Sequence, residues 1–214
     1  MNFRLIAFSL VTAMSLAGCQ SAYYGAMEKV GYHKRDIMVD RVEAATEAQE
    51  EAKQEFSSAL EEMQSLILHD GGDLQRAYEN ASDEYESAQS AADEVTDRIN
   101  KVEDVAEALF DEWQTEIGEI SKASLRRASE SKLRATRQHY QQMLRSMRRA
   151  EAKMQPVLTT MKDNMLYLKH NLNAQAIGAI KGEFSRLQAD ISGLISDMNA
   201  SIAASNQFIS NMKP

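Results

Sequence analysis

This sequence is short of proline, cysteine, glycine and aromatic residues: 214 residues hold two Pro, one Cys, nine Gly and 7% Phe, Trp and Tyr. Two prolines, the second of them Pro214 itself, exclude a proline-rich linker or a loop-dominated chain. A single cysteine excludes an intramolecular disulfide and any multi-cysteine metal or iron–sulfur site. The one long apolar run, Leu5 to Leu16, is too short to span a bilayer, which takes about 20 residues. Positive charge is in deficit, 24 basic against 32 acidic side chains, and the net of −8 argues against a general nucleic-acid binder while leaving room for a local basic patch. Hydrophobic content of 43% is close to average and argues against global disorder.

What is present begins with an address. Arg4 is the only charge before Glu28, an apolar stretch follows it, and small residues come next. That order of a positive start, an apolar core and a small-residue exit defines a secretory signal, here residues 1–18. Leu16-Ala17-Gly18-Cys19 resembles the bacterial lipobox, in which the cysteine is acylated and becomes the first residue of the mature chain. Two or three acyl chains make a stable anchor where one does not, at about 0.8 kcal/mol per buried CH₂. By the sorting pattern of such lipoproteins, Gln20 in place of Asp implies the outer membrane, with the body facing the periplasm. Residues 19–35 are then a lipid-anchored tether, whose Tyr23, Tyr24 and Tyr32 fit either the lipid interface or the first helix.

The body, residues 36–214, reads as helix with a repeat of seven. In residues 74–113 the apolar positions are Leu74, Tyr78, Ala81, Tyr85, Ala88, Ala92, Val95, Ile99, Val102, Ala106, Leu109 and Trp113, at spacings of four and three in strict alternation. That is an a/d heptad seam, and a strict 3.5-residue repeat implies left-handed supercoiling. Residues 36–68 repeat it with Met38, Val42, Ala45, Gln49, Ala52, Phe56, Ala59, Met63 and Leu66; Gln49 is the one polar member, a register device or a residue tolerated near an edge. His69-Asp70-Gly71-Gly72-Asp73 between them predicts a tight antiparallel turn with Asp73 as N-cap.

The second seam fails at Glu116, and Gly118, Ser121 and Ser124 suggest a turn there. Against it, Asp111, Glu112, Glu116 and Glu119 crowd the wrong end of a helix dipole, so one continuous helix is the alternative. Continuity would leave a seam that a single chain cannot cover, and dimerisation into a crescent- or rod-like shape would be expected. A third seam runs through Tyr140, Met143, Met147, Ala150, Met154, Val157, Met161, Met165, Leu168 and Leu172, nearly in phase across Pro156, which reads as a kink inside a helix. Asn173 is the next N-cap candidate, followed by a last amphipathic helix through Ile177, Ile180, Phe184, Leu187, Ile191, Leu194, Met198 and Ile202, weakened by Gly178, Gly182 and Gly193. The expected fold is therefore all-α: an elongated antiparallel coiled-coil bundle of three or four long helices.

Charge is segregated along the chain. Residues 36–119 carry 25 acidic and 5 basic side chains, while residues 120–155 carry 10 basic and 2 acidic. Seven of the ten are arginines, Arg126, Arg127, Arg134, Arg137, Arg145, Arg148 and Arg149, and five of these, Arg127, Arg134, Arg137, Arg145 and Arg148, fall broadly on one helical side. The basic stretch either lies against the acidic helices, setting partner choice, or docks on phosphate of anionic lipid or lipopolysaccharide.

No pattern of catalytic chemistry stands out. His33, His69, His139 and His170 are far apart with no metal-ligand spacing, and no phosphate-binding glycine loop or Gly-x-Ser-x-Gly elbow occurs. Met143, Met147, Met154, Met161 and Met165 sit at seam positions, where core packing is the simpler role than a copper site. No enzyme activity, cofactor, metal, small-molecule substrate or nucleic acid is expected, an enzyme or metal-binding protein being the remote alternative.

A resemblance adds to this reading. With the lipobox, the stretches Ala22-Tyr23-Tyr24-Gly25-Ala26-Met27-Glu28-Lys29 to His33-Lys34-Arg35-Asp36-Ile37, then Val102-Glu103-Asp104-Val105-Ala106-Glu107-Ala108-Leu109-Phe110-Asp111-Glu112-Trp113, and Leu168-Lys169-His170-Asn171-Leu172-Asn173-Ala174, resemble an uncharacterised family of bacterial lipoproteins carrying a domain of unknown function (DUF2959-like). The resemblance covers nearly the whole mature chain and implies no activity. The expected role is a non-enzymatic scaffold or spacer, binding itself or an envelope protein; the alternative is a coiled coil that binds or shapes membrane through its arginine face.

Overall fold

The computed structural model describes residues 33–68, 74–171 and 173–213. The signal, Cys19, Tyr23, Tyr24, Tyr32, the glycine pair with Asp73, and Leu172 lie outside the described residues. Four helices account for nearly all the rest: α1 (Lys34–Ile67), α2 (Leu74–Glu119), α3 (Ala123–Lys169) and α4 (Ala174–Met212). At 1.5 Å per residue they are about 50 to 70 Å long.

Long-range pairs give the arrangement. Lys34 at the start of α1 meets Glu112 near the end of α2, 2.6 Å apart. Arg148 of α3 pairs with Glu103 of α2. Lys153 of α3 reaches Asp197 of α4 at 2.6 Å, and Lys53 of α1 reaches Asn199 of α4 at 3.2 Å. Each helix thus runs antiparallel to both neighbours, α1 packing on α2 and α4, and α3 on the same two. This is an up-down-up-down four-helix bundle.

The heptad positions form the core. Val42, Phe56, Val95, Ile99, Met147, Met161, Leu187 and Leu194 are fully shielded, and one continuous apolar cluster runs through all four helices. The α2 seam is buried throughout its middle, while Leu74, Tyr78, Tyr85 and Trp113 pack on it half-exposed. The five seam methionines are core residues. The α4 core continues past Ile202 through Ser205, Phe208, Ile209 and Met212, where the sequence reading stopped. Gln49 is fully buried, not at an edge, and its amide has no protein partner.

The junctions decide between the open alternatives. α2 continues through Gly118 to Glu119, and the break falls at Ile120, Ser121 and Lys122. Neither Ser121 nor Ser124 caps α3; its N-cap is Lys122, with no side-chain bond. The acidic end of α2 is answered by Arg126, whose Nε and Nη2 donate to the Ile120 carbonyl at 2.9 and 2.8 Å. A guanidinium on the last carbonyls offsets the dipole that four carboxylates oppose. α3 passes Pro156 without ending. Asn173 caps α4 as the sequence indicated, its side-chain oxygen accepting from the Ala176 amide at 3.0 Å.

A candidate interaction surface on α3

The seams of the four helices meet one another, so the chemistry left for partners is on the outside. There the sequence segregation becomes spatial: α1 and α2 together hold 23 acidic and 7 basic side chains, α3 and α4 together 6 acidic and 13 basic.

The seven arginines divide into two tiers. The inner tier works within the bundle. Arg126 closes the α2–α3 turn. Arg137 lies 5.4 Å from the centre of the Phe110 ring and donates to the Phe110 carbonyl at 3.3 Å, a cation–π contact between α3 and α2. Arg148 donates to Glu103 and Asn100 of α2 and to both oxygens of Glu151. These carboxylates push the Arg148 guanidinium above its ordinary range, against the opposing effect of burial, which is the largest single influence. All three stand on the α2 side of α3.

The outer tier is different. Arg127, Arg134, Arg145 and Arg149 are exposed and make no hydrogen bond or ion pair with any described residue. On a helix of 3.6 residues per turn they lie within about 60° of one another, opposite the Met143, Met147, Ala150 and Met154 seam. From Arg127 to Arg149 the row is about 33 Å long. The exposed outward positions between them are Ser131, Gln138, Gln141 and Gln142, with half-exposed Glu130 at the α2-side margin. Sequence reasoning put Arg137 and Arg148 in this group and left Arg149 out. Which arginines are free depends on where α2 lies, and one helix alone does not show that.

The row's setting is also asymmetric. α4, on its other flank, carries no charged side chain after Asp197. Its exposed residues there are Asn199, Ala200, Ala203, Asn206, Gln207, Ser210 and Asn211. Asn211 comes within 3.5 Å of His139 on α3, which fixes the level at which α4 ends beside α3. At that same end, a cleft of about 360 Å³ gathers His33, Lys34, Trp113, Lys132, Thr136 and Met212. α1 therefore begins where α4 ends, and the α2–α3 hairpin extends beyond both. Trp113 Nε1 donates to Ser129 Oγ at 2.9 Å inside that extension.

Elsewhere the surface offers less. A groove between α1 and α2 is lined by Glu51, Glu55, Glu94, Ser87 and Ser90, all on solvated faces. Among the described residues no group of three His, Cys, Asp or Glu could hold a metal ion. His33, His139 and His170 are exposed and apart; His69 lies outside the described residues. Among the described residues no helix is long and apolar enough to cross a membrane.

A family model described as a protein of unknown function (DUF2959) matches residues 23–212. No curated protein matches the chain.

Proposed function

The chain belongs to the DUF2959 family of unknown function, and from that premise we propose that it is an outer-membrane lipoprotein, anchored through acylated Cys19 and facing the periplasm. Its bundle is a non-enzymatic scaffold or spacer that binds an envelope protein. Two features support this: the lipobox-like Leu16-Ala17-Gly18-Cys19, and a long bundle whose inward positions are given to packing.

The observation that carries the scaffold role is the continuity of that core from Met38 and Phe110 at one end to Leu66 and Leu168 at the other. Helices of 34 to 47 residues with apolar seams along them make a stiff body that holds its ends apart. Because the four seams are occupied by one another, recognition falls to outer faces, where charge is sorted by side.

In-cell crosslinking with mass spectrometry, beside a Cys19→Ser variant, tests this. The expected result is an acylated Cys19 in the membrane fraction, release of the variant from that fraction, and crosslinks from outward-facing lysines to an envelope protein. An unmodified Cys19, or crosslinks confined to the chain itself, would overturn it.

A further inference from the structure

We propose that the outer face of α3, with the uncharged end of α4 beside it, lies on an anionic phospholipid surface. The proposal rests on the lipid-anchor reading for where that surface is, and on the geometry for what meets it.

Four observations converge. The first is the outer arginine row itself: Arg127, Arg134, Arg145 and Arg149 are exposed and unpaired among the described residues, in a chain whose net charge is −8. Acidic side chains are abundant on α2, and the one that reaches α3 directly, Glu103, is taken by Arg148 of the inner tier. A guanidinium presents a planar fork that matches two oxygens of a phosphate.

The second is the absence of acid on the α4 flank of the row. The α4 flank from Met198 to Met212 carries no charge, so a planar anionic surface can approach Arg145 and Arg149 without meeting a carboxylate there. Arg127 and Arg134 stand on the part of α3 that extends past the end of α4.

The third is the position of α1, one of the two acidic helices; α2, the other, adjoins α3 on the inner-tier side. α1 is diagonal to α3, behind the core. With a Debye length of about 8 Å at physiological salt, charges across a bundle are largely screened from a surface touching α3. The charge of α1 therefore does not forbid the contact.

The fourth is where the chain leaves the bundle. His33 sits at the end of the bundle where the arginine row is, beside Lys132 and Thr136. The fourteen residues from Gln20 to His33 reach at most about 50 Å when fully extended. An anchor at Cys19 then keeps a headgroup layer within reach of α3, and tethering makes a weak surface contact effective. A second copy's acidic face would also complement the row, and the sedimenting mass distinguishes it from a lipid surface.

Each arginine near an anionic leaflet adds roughly fivefold to binding. The test uses the chain from residue 19 with Cys19→Ser, since the core draws on residues 37–212 alone. It is co-sedimented with vesicles of phosphatidylethanolamine and phosphatidylglycerol, and with neutral phosphatidylcholine vesicles. Binding to the anionic vesicles, released by high salt, is expected. Arg127→Glu with Arg134→Glu should weaken it by roughly tenfold or more, and the two Arg→Lys changes should retain most of it. Lys162→Glu with Lys169→Glu, exposed positions at the far end of α3 with the same change in charge, should have little effect. Circular dichroism melts confirm that each variant is folded.

Absence of binding, equal binding to neutral vesicles, or equal losses in both reversed pairs would overturn the proposal. So would a change in sedimenting mass on Arg reversal without any vesicle binding, which would assign the row to a second copy. Because the tested chain carries no lipid, these outcomes are independent of whether Cys19 is acylated in cells, which the mass of the cellular protein reads separately.

Discussion

Arg148 of α3 holds Glu103 of α2, while Arg149, the next residue along the chain, makes no hydrogen bond or ion pair with any described residue. One residue of helix rotation separates an arginine used to join helices from one left for solvent. The pairing is half-exposed and shared with Glu151 at 2.8 Å. Its Coulomb energy is therefore small, and the cost of removing it comes chiefly from Glu103 and Asn100 losing their donor. Arg148→Ala should destabilise the bundle by about 1 kcal/mol. Arg149→Ala should stay within about 0.5 kcal/mol of the parent. Urea denaturation of the two variants checks this, and equal losses would mean that the tier distinction has no energetic content.

The α2–α3 turn makes a second prediction. Arg126 places two N–H groups on the Ile120 carbonyl, next to a helix end that carries no basic residue of its own. Arg126→Ala should cost about 1 kcal/mol, discounted from a charged hydrogen bond because the site is exposed. The effect should be local: amide exchange should accelerate at Ile117 to Lys122 and not at Met147 or Val95. Uniform acceleration would show that the turn is not an independent unit.

Much of this fold was legible because heptad seams report burial directly. The α2 seam and the passage of α3 through Pro156 came from spacing alone, and Asn173 declared itself because an N-cap is a local device. The Ser caps at 121 and 124 did not form, since the α2–α3 turn is closed by Arg126 reaching back six residues, a contact invisible to a local motif. The last third of the α4 seam was missed for a different reason. Ser201 and Ser205 occupy core positions with small polar side chains, and Ser205 satisfies its hydroxyl on the Ser201 carbonyl at 2.9 Å. A serine that bonds its own helix packs as a small residue, and an apolar pattern does not count it. The arginine face was legible as composition and not as a surface, because α2 decides which guanidiniums are used.

Gly178 and Gly182 interrupt α4 without any steric reason to be glycine. A Cβ at either position would meet nothing within 4 Å, and both are exposed and helical. Ala at each site should stabilise the protein by about 0.5–1 kcal/mol by reducing the freedom of the unfolded chain. The double variant should therefore melt a few degrees higher in a calorimeter, at about 2–4 °C per kcal/mol. A lower melting temperature would indicate that something outside the described contacts needs those glycines.

Tyr140 sets an alkaline limit. Its ring stands 5.4 Å from Phe110, edge to face, and 6.4 Å from Phe208, where α2, α3 and α4 meet. Burial first, then the carboxylates of Glu103, Asp104 and Glu107, push its hydroxyl up to about 12, against the smaller opposing effect of Arg148. A folded pKa raised above the unfolded value of 10.0 means that the unfolded chain releases its proton first. The stabilising contribution is whole below pH 10 and is lost as pH rises toward 12. Tyr140→Phe should make the urea midpoint fall less steeply across that window. A slope identical to the parent's would place the alkaline loss at other groups.

At Gln49, a core position, the physics opposes the residue. It is fully buried in α1, and neither its amide nitrogen nor its oxygen has a protein partner. The pairs Lys53–Asn199 and Glu43–Lys213 bracket it at the level of Ser201 and Ser205 on α4, where the Ser201 hydroxyl is equally without a partner. An unsatisfied buried amide costs about 1–3 kcal/mol, and methionine has a similar length with no such penalty. Gln49→Met should therefore raise stability by about that amount, read as a higher urea midpoint at unchanged slope. What a polar seam residue contributes in exchange is register: it disfavours helix slippage by one heptad and close packing against a wrong neighbour. That compensation has its own signature. If it operates, the stabilised variant should show broader amide resonances along α1 and α4, or a second species in sedimentation velocity. If the variant is both more stable and as uniform as the parent, register is set by the alanine-rich α1–α2 contacts and Gln49 plays no part in it. If the variant is less stable, the amide is satisfied in solution and the layer it shares with Ser201 is a hydrated polar one.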